Sequence, residues 1–269
     1  MPHRSLTALV AVAAAGLLVT ACDNPAVRVS YRPTVGTRTS YELRVTTTSQ
    51  TRLVGEPPKD RHDSFVLRSD QRVRRAEPGA DTQVAVRLSG AGQKPRDFVV
   101  RLDRAGQLAT VESVEGVPSD ELGTPSFGIS ELLPSAAGAL PRAALQPGDR
   151  WKISQRVSGG SLAAGRLVGW GRLASLGVSH GTKLAVVDTN VALPVDRVTD
   201  VETGGTIHLV GSQRTTMHVV QRVRDGVVLQ AWSHSVGHYT VTLSPPAELQ
   251  APPVSGTLTV TVASTTRSL

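Results

Sequence analysis

From Tyr41 onward the chain alternates. Tyr41, Leu43 and Val45 are apolar while Glu42, Arg44 and Thr46 are polar, the period of two that turns one face of a strand to a core and the other to water. The pattern returns at Val84-Val86-Leu88, Phe98-Val100-Leu102, Trp151-Ile153, Tyr239-Val241-Leu243 and Leu258-Val260-Val262, and strands are also expected over 151–157, 165–175 and 182–192. Val and Thr dominate these runs, and their stiff χ1 suits a pleated surface. Residues 103–106 and Arg224-Asp225-Gly226 put glycine where a tight hairpin needs positive φ. Only 129–140 reads differently: it is rich in Ala and Leu, broken by Pro134 and stopped at Pro141, which permits a short or kinked helix at most.

The expected fold is mainly β: a large antiparallel curved sheet or half-barrel, or two related meanders, with one short helical segment on the concave side. The expected divisions are a signal peptide over 1–21, a flexible tether over 22–38, an N-terminal β meander over 39–116, a loop and helical segment over 117–148, and a C-terminal β region over 149–269. A weak repeat fits two meanders. Ser49-Gln50, Gln71-Arg72-Val73-Arg74 and Phe98 recur in order as Ser212-Gln213, Gln221-Arg222-Val223-Arg224 and Tyr239. A lead-in turn also recurs, Pro33 and Gly36 ahead of Tyr41, then Pro147-Gly148 ahead of Trp151.

The first residues set the address. His3 and Arg4 precede an uncharged run from Leu6 to Val19, with small residues at Thr20 and Ala21 before Cys22. That is the order of a secretory signal peptide, too short to span a bilayer. Val19-Thr20-Ala21-Cys22 resembles the bacterial lipobox, and the resemblance implies diacylglycerol on the Cys22 thiol and cleavage in front of it. Cys22 is the only cysteine, so no disulfide forms within the chain and the exported domain must rely on its core. Its expected place is the extracytoplasmic face of the cell membrane, held by lipid.

Charge excludes some partners. With 29 basic and 22 acidic residues the chain carries +7; Arg4 is the one charge in residues 1–21, so the mature chain carries +6. The cations are almost all Arg, interspersed with carboxylates, and nine aromatics stand singly, so the stacking platforms of nucleic-acid binding are missing.

Four histidines, His208, His218, His234 and His238, fall within about thirty residues of expected hairpin and could ligate a metal only if the strand register puts them on one face. Pairing Arg224 with Val227 places His218 and His234 on opposite faces, and a shift by one makes them diagonal neighbours on the same face. No metal and no cofactor is expected. Asp188-Thr189-Asn190 is similar to the Asp-Thr-Gly loop of aspartic proteases, but Asn replaces Gly and no second loop exists. Gly169-Trp170-Gly171-Arg172-Leu173-Ala174 fits a dinucleotide fingerprint in letters only, and a strand bend explains its glycines better. Ile129, Leu132, Leu133 and Leu140 are the candidate lining of a ligand cavity between helix and sheet. Gly36 with Tyr41, and Pro147 with Trp151, resemble the lead-in motifs of β-rich actinobacterial lipoproteins of uncharacterised role, and the outline is similar to half-barrel lipid and lipoprotein carriers of bacterial envelopes. The expected role is a non-enzymatic binding module for an apolar envelope ligand, the alternatives being an interaction lipoprotein that holds a protein or anionic polymer, or an enzyme with an unrecognised site.

Overall fold

A computed structural model describes residues 26–77, 80–91, 94–106, 108–115, 117–118, 140–156, 166–201 and 204–269. The chain is mainly β. In order it forms β1 (Arg38–Leu53), β2 (Lys59–Arg75), β3 (Thr82–Gly90), β4 (Arg96–Leu102), β5 (Leu108–Val114), β6 (Val117–Pro118), β7 (Arg150–Arg156), β8 (Arg166–Ser179), β9 (Thr182–Asp200), β10 (Thr206–Arg222), β11 (Val228–Ser244) and β12 (Val254–Ser268). The only helix among the described residues is the single 3-10 turn Ala247–Leu249. The helical segment expected near 129–140 lies outside them, except for Leu140.

All twelve strands belong to one open antiparallel sheet in the order β6-β5-β4-β3-β2-β1-β12-β11-β10-β9-β8-β7. Two meanders are laid back to back. The first runs outward from β1 to one edge, the second runs inward from the opposite edge, and β12 zips against β1 at the centre over thirteen residue pairs.

Both meanders begin with the same device. Gly36 has φ +86° and Gly148 has φ +96°. Gly36 N–H donates to the Val73 carbonyl while Val73 N–H donates to Thr37; Gly148 N–H donates to Leu173 while Leu173 N–H donates to Asp149. Each glycine thus turns the chain into register with the neighbouring strand, and the aromatic side chain behind it, Tyr41 or Trp151, enters the concave side. The longer repeat behaves differently. Ser49 and Gln71 sit on two strands, β1 and β2, whereas Ser212 and Gln221 share β10, so those letters mark no equivalent positions.

The sheet curls strongly at one end, the base. Tyr31 N–H donates to the carbonyl of Arg104 in the β4–β5 turn, and its neighbour Arg32 N–H donates to Asp225 in the β10–β11 turn. Those turns are six sheet positions apart, about 29 Å in a flat sheet at roughly 4.8 Å per strand. Adjacent residues of one chain reach both, so the sheet has rolled round. The expected flexible tether is corrected here for residues 26–36: they form a strap across the base, with Val27 bridged to Leu145 in both directions and Val29 2% exposed. Val29, Leu140 and Leu145 share a core cluster with Ala105 of the β4–β5 turn and with Leu173, Ala185 and Val187 of β8 and β9. A second cluster joins Val84, Val86, Phe98, Val100, Leu102 and Val111 of β3 to β5.

At the opposite end, the rim, the sheet is narrower. β3 pairs with β2 only from Leu67, and β8 pairs with β9 only as far as Ala192. Among the described residues six strands therefore continue alone, and the outer sides of β2 and β9 have no partner strand there. Lys59, Asp60, Arg61, His62 and Asp63 guard one edge; Pro194, which cannot donate, and Asp196 guard the other. Charge and proline on an edge discourage pairing with other chains.

Candidate functional site

The concave face changes character from base to rim. Nearest the base, Leu173, Val187, Val219, Ala231 and Leu43 form a transverse row across β8, β9, β10, β11 and β1, and none is more than 5% exposed. Above it runs a belt of hydroxyls that satisfy one another: Ser233 with Ser264 at 2.7 Å and Thr215 with Ser235 at 2.7 Å. Higher still the face turns aliphatic again, with Leu193, Leu209, Tyr239, Leu243, Leu258 and Val260 half-buried on β9 to β12. Extensive contacts between described elements occur only between sheet neighbours. No described second layer covers this panel.

Glycines shape it. A Cβ on Gly211 would collide with the His238 carbonyl, one on Gly256 with the Arg52 carbonyl, and one on Gly237 with the ring of Tyr239. Such bare positions let strands bend and approach more closely than side chains allow. Tyr239 folds over Gly237 and donates to Gln213 Oε1 at 3.3 Å, so its ring lies along the sheet as part of the panel. Trp151 covers Gly171 in the same way on β7 and β8. Gly169 and Gly171 lie in regular pairing, and a Cβ on Gly169 would meet the Asn190 carbonyl, so the close backbone approach expected there is present, while the irregularity of β8 falls between Leu173 and Ser175.

Of the residues singled out in the sequence, Cys22, Ile129, Leu132 and Leu133 lie outside the described residues. Leu140 is described and is 1% exposed within the base core; its carbonyl accepts from the Arg104 guanidinium. It fills space there and lines no cavity. A neighbouring pocket between Tyr31, Tyr41, Gln71, Leu102, Ala105 and Val228 holds about 10 Å³, room for one water. Burial, assisted by the nearby Asp225 carboxylate, pushes the Tyr31 hydroxyl well above the usual phenol range, and burial does the same to Tyr41. Both phenols stay neutral in this dry base. Among the described residues, the partly exposed apolar side chains of the concave face therefore lie at the rim end, on strands whose apolar alternation was visible but whose exposure was not.

The four histidines share the convex face. His218 lies opposite Trp232 and His234 opposite Thr216, the second of the two registers, with an irregularity between Val220 and Gln221 absorbing the difference near the turn. They do not converge. His218 Nδ1 meets Asp188 Oδ1 at 2.7 Å and its ring packs on Trp232 at 5.3 Å, while His208 Nε2 meets Asp196 at 2.7 Å. Among the described residues no three metal-ligating side chains come together. Asp188 is mid-strand, with Arg172 at 4.0 Å on its other side, and forms no protease loop. The result is a transverse ladder, Arg172-Asp188-His218-Trp232, flanked by Arg150 stacked over Trp170 at 5.4 Å. Nothing along the chain pointed to it, because each member comes from a different strand.

No family model matches this chain, and no curated protein matches it.

Proposed function

We propose that the protein is a lipid-anchored, extracytoplasmic binding module without catalytic activity, fixed to the cell membrane through Cys22, that holds an apolar envelope molecule against the concave panel at the rim. The anchor is supported by Val19-Thr20-Ala21-Cys22. The binding role rests on one observation: Leu193, Leu209, Tyr239, Leu243, Leu258 and Val260, each partly exposed, surround the buried Val195 and Val241 in a mainly apolar surface on the hollow side of a curled sheet. Burying such a patch is worth about 25 cal/mol per Å², and a surface of this kind marks a ligand or partner site. An extended acyl chain suits it. The Gln213 amide and, one row further in, the paired hydroxyls of Thr215 and Ser235 lie at its inner end to meet a polar group. Solvent extraction of the native protein followed by mass spectrometry is expected to release an apolar molecule in stoichiometric amount, and Leu209→Asp with Leu258→Asp to abolish it. Protein that is folded and free of extractable lipid counts against the reading.

A second reading draws on the convex face. Arg150, Lys152, Arg166 and Arg172 surround the exposed Trp170, a cationic and aromatic surface fitted to an anionic polymer. Arg150→Glu with Trp170→Ala would remove such binding and leave lipid capture intact.

A further inference from the structure

We infer that the base of the sheet is a membrane-docking face for anionic lipid headgroups, so that the domain stands upright with its rim directed away from the bilayer. The inference deepens the anchoring reading and rests on it. Five residue steps separate Cys22 from Val27, which is already bridged to Leu145 in the base. A chain that short spans at most about 18 Å. From Thr182 to Asp200, β9 runs 19 residues, roughly 60 Å at 3.3 Å each. An acylated Cys22 therefore keeps the base within reach of the headgroups, and whether the sheet stands up or lies down is left to the surface of the base.

The face that meets them is basic. The strap buries Val29 and Pro33 and turns Arg28 and Arg32 outward. Arg142, Lys183 and Arg224 are exposed around it, tied to it through the Val27–Leu145, Arg32–Asp225 and Val223–Lys183 backbone hydrogen bonds. Arg28, Arg142 and Lys183 meet no carboxylate among the described residues. The acids nearby are already engaged: Asp225 accepts from Arg222 at 3.0 Å and lies 3.6 Å from Arg224, Asp149 caps Gln146 N–H, and Asp103 caps Ala105 N–H. Beside Lys183 the hairpin tip exposes Val178 at 69%, an apolar point ringed by cations. Lys and Arg in this position are drawn to the negative surface potential of a bilayer, each contributing roughly a fivefold gain in partition.

The test uses the mature protein, whose acylated Cys22 leaves an introduced cysteine as the sole reactive thiol. His180→Cys labels the base tip and Glu56→Cys the rim. On vesicles containing phosphatidylglycerol and a headgroup energy acceptor, strong transfer is expected from position 180 and little from 56. On zwitterionic vesicles, or with Arg28→Glu, Arg142→Glu and Lys183→Glu together, the two are expected to converge. Equal transfer from both positions on anionic vesicles, or a difference that ignores lipid charge, overturns the inference. Intact mass of the same protein separates the two readings. If Cys22 carries no acyl chain the anchor falls, and sedimentation with anionic against neutral vesicles then decides the basic face: a preference of on the order of a hundredfold that the triple variant loses upholds it, and no preference sinks it.

Discussion

Leu43 and Thr51 lie on the same face of β1, eight residues and about 26 Å apart. Leu43 is sealed in the base with 1% exposure, while Thr51 belongs to the rim, where six strands continue with no covering layer among the described residues. The same sheet is thus a packed body at one end and a bare blade at the other. The difference teaches where stability and function separate. The base binds the strap, both lead-in turns and two core clusters into one unit, and the rim keeps its apolar side chains available at the expense of burial. Regions of low burial are where ligand sites are expected to be drawn from.

The largest test of that contrast is Leu173→Ala against Leu258→Ala. Leu173 is 0% exposed, and its truncation is expected to destabilise by about 2–5 kcal/mol; Leu258 is half-buried, and its loss is expected to cost about 1 kcal/mol. Equal shifts in the denaturant midpoint would erase the distinction between base and rim. Next comes glycine. Gly211→Val meets the His238 carbonyl and is expected to destabilise by about 1–3 kcal/mol, while Gly177→Ala, with open space around it, is expected to stabilise by about 0.5 kcal/mol. Thermal unfolding of both distinguishes a curvature requirement from mere tolerance. On the convex face, Asp188→Ala releases Arg172 and His218 together, and a loss of about 0.5 kcal/mol is expected from such exposed pairs. The smallest effect is acid sensitivity at the base. The Ser40 hydroxyl holds the Asp70 carboxyl below the usual range against the opposing effect of burial, with the Arg68 guanidinium helping. A carboxyl depressed in the folded state contributes stability above its unfolded value, and this is lost as pH falls through the lower folded one. Comparing unfolding midpoints at pH 7 and pH 3 is expected to show a drop that Ser40→Ala makes shallower.

Much of the base was legible in the sequence. Tyr41-Leu43-Val45, Val84-Val86-Leu88 and Phe98-Val100-Leu102 show their buried side by alternation, and Gly36, Gly106, Gly148 and Gly226 all adopt the positive φ their turns call for. The rim was not. Over residues 46–52, Thr-Thr-Thr-Ser-Gln-Thr-Arg is polar on both faces, so no period marks the outer half of β1, and strand length there is set by pairing with β12 and β2. Register among the histidines depended on one irregularity at Val220 and Gln221, which no local pattern specifies. The strap escaped because 26–36 has no period of its own; backbone hydrogen bonds to distant turns position it.

The central zipper between β1 and β12 carries a kinetic consequence. Every strand finds one partner within its own meander, β1 through β2 and β12 through β11, but the second edge of β1 waits for β12. Until β12 has formed and paired, that edge of β1 stays open, and contacts of such long sequence separation slow folding. A chain cut before Val254 would leave β1 and β11 both unzipped, and oligomers joined strand to strand are its expected fate.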